Sequence, residues 1–116
     1  MTIVNYKEFF EMINYTNELP NKNGMKGRMC DGITSAQQRA LRNLGVGTTG
    51  IRYKGQAMIV LDLLIDRANK HLATPGQMRK LGAAGFQHVG KITYSQAVQY
   101  LSEKNAFNEE REPWEA

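Results

Sequence analysis

Apolar residues return along this chain at the spacing of a helix face. Tyr6, Phe9, Phe10 and Ile13 fall at i, i+3, i+4 and i+7, and Asn5 and Glu8 stand ahead of them at the spacing of a helix cap. That pattern predicts an amphipathic helix that docks on the rest of the protein. Ala36, Ala40, Leu41 and Leu44 mark one face of a second short helix. A longer one, about residues 54–72, is apolar nearly all round through Met58, Ile59, Val60, Leu61, Leu63, Leu64 and Ile65, which places it in the middle of a core and makes Met58–Ile65 its most buried part. Residues 46–54 and 86–93 hold glycines and β-branched residues without helical periodicity and are expected as extended loops. Residues 19–32, with one Pro, three Gly and several cations, are expected as a mobile basic loop.

Shifting the chain over itself by 40 positions aligns residues 33–61 with 73–101 without a gap, and nine positions are identical. Two of the identical pairs form the capping spacing: Thr34 precedes Gln37, and Thr74 precedes Gln77, so a hydroxyl and an amide can each satisfy the other's backbone N–H at a helix start. Pro75 suits the first helical position of the second copy. Gly45 and Gly85 can each end their helix in a left-handed turn that folds Val46 or Phe86 back on Leu41 or Leu81. Thr93 and Gln96 repeat the capping spacing and start one more helix. Helices this short are marginal alone in water and must pack on partners. No Gly or Ser spacer separates the copies, so they are expected in a fixed relation. The expected architecture is therefore all-α, with about five helices. An N-terminal amphipathic helix and two tandem helix, extended loop, helix repeats share one core over residues 1–104, and residues 105–116 form an acidic, disordered tail around Trp114.

Length and charge refine this picture. A chain of 116 residues can bury a core without disulfides or metals, and its single cysteine, Cys30, cannot form an internal disulfide. With no secretory leader pattern and no apolar run near the roughly 20 residues that span a bilayer, the expected setting is the cytoplasm, away from any membrane. The net charge of +4 is unevenly spread: residues 19–101 carry twelve Lys or Arg against Asp31, Asp62 and Asp66, whereas residues 102–116 carry five Glu against two cations. A basic body is followed by an acidic end.

Catalytic chemistry lacks parts. The basic body offers three carboxylates, and His71 and His88 have no Cys or acidic residue at metal-ligand spacing, so neither an enzyme nor a cofactor or metal site is expected. His71 is expected in the last turn of the long helix, where an imidazolium suits the negative end of the dipole. The Gly45, Gly47 and Gly50 cluster lacks the lysine and hydroxyl of a phosphate loop. The cations have a better claim. Arg39 and Arg42 in the first copy, and Arg79 and Lys80 in the second, lie on helix faces that the core does not use, and Arg52, Lys54 and Lys91 add charge from the loops. Any one of them alone is explained by a solvated face; together, an uncompensated basic body points to a polyanion.

The string Ala73-Thr74-Pro75-Gly76-Gln77-Met78-Arg79-Lys80-Leu81, followed by Gly85-Phe86, resembles a short module of bacteriophage and prophage proteins of DNA metabolism. The helix, extended loop, helix order over residues 33–104 is similar to the SAP, LEM and HeH group of small domains, of which SAP members bind DNA and LEM members bind a protein partner. This chain departs from the SAP pattern in being doubled around a long middle helix. The resemblance implies a phage-related setting, in the host cytoplasm, and a binding role. Two functions follow as expectations. The first is a nucleic-acid-binding accessory protein that grips DNA or RNA backbone through Arg39, Arg42, Arg52, Lys54, Arg79, Lys80 and Lys91. The second is a phage-type interaction protein, an anti-CRISPR-like inhibitor of a host defence or replication enzyme, docking on a host protein through Trp114 or the Phe9 and Phe10 helix.

Overall fold

The computed structural model describes residues 3–105, and among them it is all-α, with five α-helices and no strand. They are α1 (Tyr6–Met12), α2 (Ser35–Asn43), α3 (Lys54–Asn69), α4 (Pro75–Ala83) and α5 (Tyr94–Asn105). Of the expected acidic tail, Asn105 ends α5, and residues 106–116 with Trp114 lie outside the described residues.

Local chemistry sets the helix ends. Thr34 Oγ1 accepts from Gln37 N at 3.0 Å while Gln37 Oε1 accepts from Thr34 N at 3.1 Å, and Thr74 and Gln77 make the same reciprocal pair at 3.2 and 2.9 Å. Thr93 and Gln96 do so again ahead of α5, at 3.1 Å each way. At the other end, α2 closes when Val46 N donates to Leu41 O and Gly45 N donates to Arg42 O; in α4 Phe86 N donates to Leu81 O and Gly85 N to Gly82 O. Gly45 and Gly85 take the required left-handed backbone, with φ of 95° and 96°.

Two more helices end in the same motif without glycine. Asn14 (φ 57°) closes α1, and His71 (φ 55°) closes α3, where Leu72 N donates to Arg67 O and His71 N to Ala68 O. The long helix therefore stops at Asn69, and His71 lies beyond its last turn as the left-handed residue that reverses the chain, instead of facing the helix dipole from within it.

Elements 40 positions apart make matching backbone bonds. Ile33 N donates to Arg52 O and Lys54 N to Asp31 O in the first half, and Ala73 N donates to Ile92 O and Tyr94 N to His71 O in the second, each at 2.8 or 2.9 Å. These pairs tie the start of each helical hairpin to the end of its loop. The second loop is not fully extended: a 3-10 turn occupies Val89–Lys91.

A single buried cluster draws on α1 and on both halves, with Val4, Phe9, Leu41, Val46, Val60, Met78 and Leu81 at its centre. Leu41, Leu81, Ala57 and Ala97, identical pairs in the sequence, are all fully buried. In α3 the buried stripe runs Ala57, Val60, Leu64 and Arg67, an i, i+3, i+7, i+10 series. The expectation that Met58–Ile65 is the most buried segment is corrected here, because Met58 is 40% and Ile65 49% exposed on the opposite face and Leu61 is only half-buried. Three short helices and the seven-residue α1 do not surround α3, so one side of it stays open.

Residues 19–32 also differ from expectation. They form two 3-10 turns, Lys22–Gly24 and Gly27–Cys30, and the second of these packs on α3. Gln56 Nε2 donates to Pro20 O at 2.9 Å, and Gly55, having no Cβ, leaves the space that Met25 and Met29 fill. The apolar methionines within this basic stretch supply the attachment that its glycines and lysines obscure.

α1 lies across both loops. Val4 N donates to Gly45 O and Gly47 N to Val4 O in the manner of a parallel strand pair. A Cβ on Gly50 would meet the Tyr6 ring at 2.8 Å, and one on Gly90 would meet Met12 O at 2.8 Å. The identical glycines of the two loops are thus the seats for the two ends of α1. Phe9 is 0% exposed and Phe10 is buried, so the α1 aromatics serve the core and offer no docking face, contrary to one of the expected routes to a protein partner.

Candidate nucleic-acid interface

The predicted cations fall into distinct environments. α2 turns Leu41 inward and leaves Arg39 and Arg42, one turn apart, exposed on its outer side. Arg52 is exposed on the first loop, and its carbonyl accepts from Ile33 N at 2.9 Å, which sets it beside the start of α2. None of these three has an ion-pair partner among the described residues. Lys91 is exposed on the second loop's 3-10 turn.

The remaining members are engaged. Lys54 is half-buried, and its Nζ lies 3.7 Å from Asp31 Oδ2. Lys80 is half-buried on α4. Arg79 meets Glu8 of α1 fork to fork: Nε donates to Oε1 at 2.9 Å, Nη2 donates to Oε2, and Nη1 lies 3.5 Å from Ile3 O. The hydrogen bonds from Arg79, helped by its charge, hold the Glu8 carboxyl below the usual carboxylate range, and the same bonds raise the Arg79 guanidinium above its ordinary value. Arg39 and Arg79 occupy the same position of the repeat and both are exposed, yet Arg79 is paired with Glu8 whereas Arg39 has no ion-pair partner among the described residues.

One basic residue escaped the sequence reading. Arg67 is 8% exposed, its Nη1 donating to Gly90 O at 2.8 Å and its Nη2 to Ala73 O at 3.0 Å, with Met78 Sδ 3.3 Å away. Its Nε is buried without a partner, and no carboxylate lies within ion-pair distance among the described residues. Burial pushes this guanidinium's pKa down, and neighbouring Asp66 partly offsets that. Arg67 is a structural clamp between α3, the α4 start and the second loop, and it contributes no charge to the outer surface. The signal was available: Arg67 continues the apolar series Ala57, Val60, Leu64 at helical spacing.

Among the described residues no group of three or more His, Cys, Asp or Glu side chains could hold a metal ion. His71 and His88 are exposed and sit in left-handed turns, and Cys30 Sγ donates to Met25 O at 3.1 Å. No described helix is long and apolar enough to cross a membrane. No family model matches the chain, and no curated protein or solved structure matches it either.

Proposed function

We propose that this protein is a phage- or prophage-type accessory protein that binds nucleic acid by its phosphate backbone, without catalysis or cofactor, in the host cytoplasm. The observation that carries this reading is the outer side of α2, where Arg39 and Arg42 stand exposed, without an ion-pair partner among the described residues, and Arg52 lies at the helix start. Cations held at fixed spacing on a packed helix can meet successive phosphates, and each contact releases a counterion. Nothing in this set is arranged to read base edges, so affinity should be indifferent to sequence. Replacing Arg39 and Arg42 together with Ala lowers the slope of log affinity against log salt by about two units, similarly for unrelated DNA and RNA, with the helical circular dichroism spectrum retained. An unchanged slope, or no binding by the intact protein at low salt, refutes the reading.

One observation favours a second reading, a protein-binding inhibitor. Met58 and Ile65 flank the exposed Asp62 on the open side of α3, and Val98, at the repeat position of Met58, is 44% exposed on α5. Exposed apolar residues grouped on a helix are a common form of partner surface. Changing Met58 and Ile65 to Ser should then abolish retention of a host protein in nuclease-treated lysate, with the helical circular dichroism spectrum retained.

A further inference from the structure

Arg39 and Arg79 are one residue of the repeat seen twice, in two electrostatic states. In the first half the guanidinium faces solvent. In the second, both oxygens of Glu8 take its fork, and the Ile3 carbonyl stands near the third nitrogen. A carboxylate held on two nitrogens of an arginine occupies the place and geometry of a bidentate phosphate. α1 cannot simply swing aside, because Phe9 is buried, Val4 is bonded to the first loop, and the ends of α1 sit on Gly50 and Gly90.

We infer that Glu8 is a built-in phosphate mimic that closes a second phosphate-binding position at Arg79, so that bound nucleic acid engages Arg39 in the first half and not its counterpart in the second. The inference rests on the nucleic-acid reading and adds to it the extent of the footprint and the residue that limits it. Opening the second position requires only the loss of the Glu8 charge, with α1 still seated. Since exposed ion pairs are individually weak, the gain on opening is modest, about 2- to 5-fold in affinity at low salt. The slope is the sharper readout, because one more phosphate contact steepens it by about 0.9.

The test is a salt titration of one unrelated oligonucleotide against the full chain, as wild type, Glu8→Gln, Arg79→Ala and the double variant, each checked by thermal melt. Glu8→Gln should bind more tightly with a slope steeper by about one unit, Arg79→Ala should keep the wild-type slope, and the double variant should return to it. If wild type binds and Glu8→Gln leaves the slope unchanged, the inference fails while the nucleic-acid reading stands. If the double variant keeps the steeper slope, the effect is one of net charge and the inference fails likewise. No binding by wild type or by Glu8→Gln overturns both. A measurement on the unaltered protein guards against an unfolded variant: on adding the oligonucleotide, the arginine Nε–H NMR signal of Arg39 should move and that of Arg79 should not, and equal movement overturns the inference.

Discussion

Replacing Arg67 with Met and with Ala separates what its hydrogen bonds contribute from what its stem contributes. The Ala73 residue is 1% exposed, so on losing Arg67 Nη2 its carbonyl is left dry, a cost of about 1–3 kcal/mol. Gly90 is half-buried, and water can replace the lost Nη1 donor there at little cost. Met keeps most of the aliphatic stem and relieves the buried cation, so Arg67→Met is expected to cost about 1–3 kcal/mol. Ala also removes the outer methylenes, at about 0.8 kcal/mol for each buried CH2, and leaves a cavity beside Met78, giving about 3–5 kcal/mol in all. Urea unfolding followed by far-UV circular dichroism measures both, and an unchanged m-value is needed to compare them. Arg67→Met as stable as wild type would refute the reasoning, because the desolvation of an uncompensated guanidinium would then equal or exceed the value of its bonds.

Three further outcomes follow from the fold. Leu41→Ala should destabilise by about 2–5 kcal/mol, and Leu61→Ala by clearly less because that side chain is only half-buried; the reverse order would displace the core. His71→Gly should raise stability by up to about 1 kcal/mol by relieving a left-handed backbone, whereas Gly45→Ala should lower it by about 1–2 kcal/mol, both read from thermal melts. Glu8 has a lowered pKa when folded, so its pairing with Arg79 is present in full above the ordinary carboxylate pKa and is lost as pH falls through the lowered value. The acid limb of the stability curve should therefore be shallower in Glu8→Gln than in wild type, and identical limbs would deny the pair a role in stability.

The parts of this fold legible in the sequence are those fixed by neighbours within a few positions. Thr34 with Gln37, Thr74 with Gln77, Thr93 with Gln96, and the glycines at 45 and 85 announce helix ends because the atoms that satisfy each end lie within one turn. What stayed hidden depends on distant chain. Glu8 and Arg79 are 71 positions apart, and nothing local distinguishes Arg79 from Arg39. Met25 and Met29 fill the space over Gly55, a contact that a basic, glycine-rich composition does not reveal. An all-round apolar helix reads as fully enclosed, yet the number of neighbours available decides that, and here they cover one side. The left-handed turns at Asn14 and His71 escaped for a different reason: no glycine marks them.

The seating of α1 across both loops has a consequence for how the chain assembles. α2 packs on α3 and α4 on α5, each pair closed by a short loop, whereas Val4 must find Val46 and Glu8 must find Arg79 far along the chain. Distant contacts form later, because more chain must be ordered before they repay the loss of freedom. The two hairpins should therefore form first and create, between them, the groove that α1 enters. In the native protein the same hierarchy runs backwards, and the backbone amides of α1 should exchange with solvent ahead of those in the middle of α3. Of the five described helices, the one that comes first in the chain is thus the one placed last.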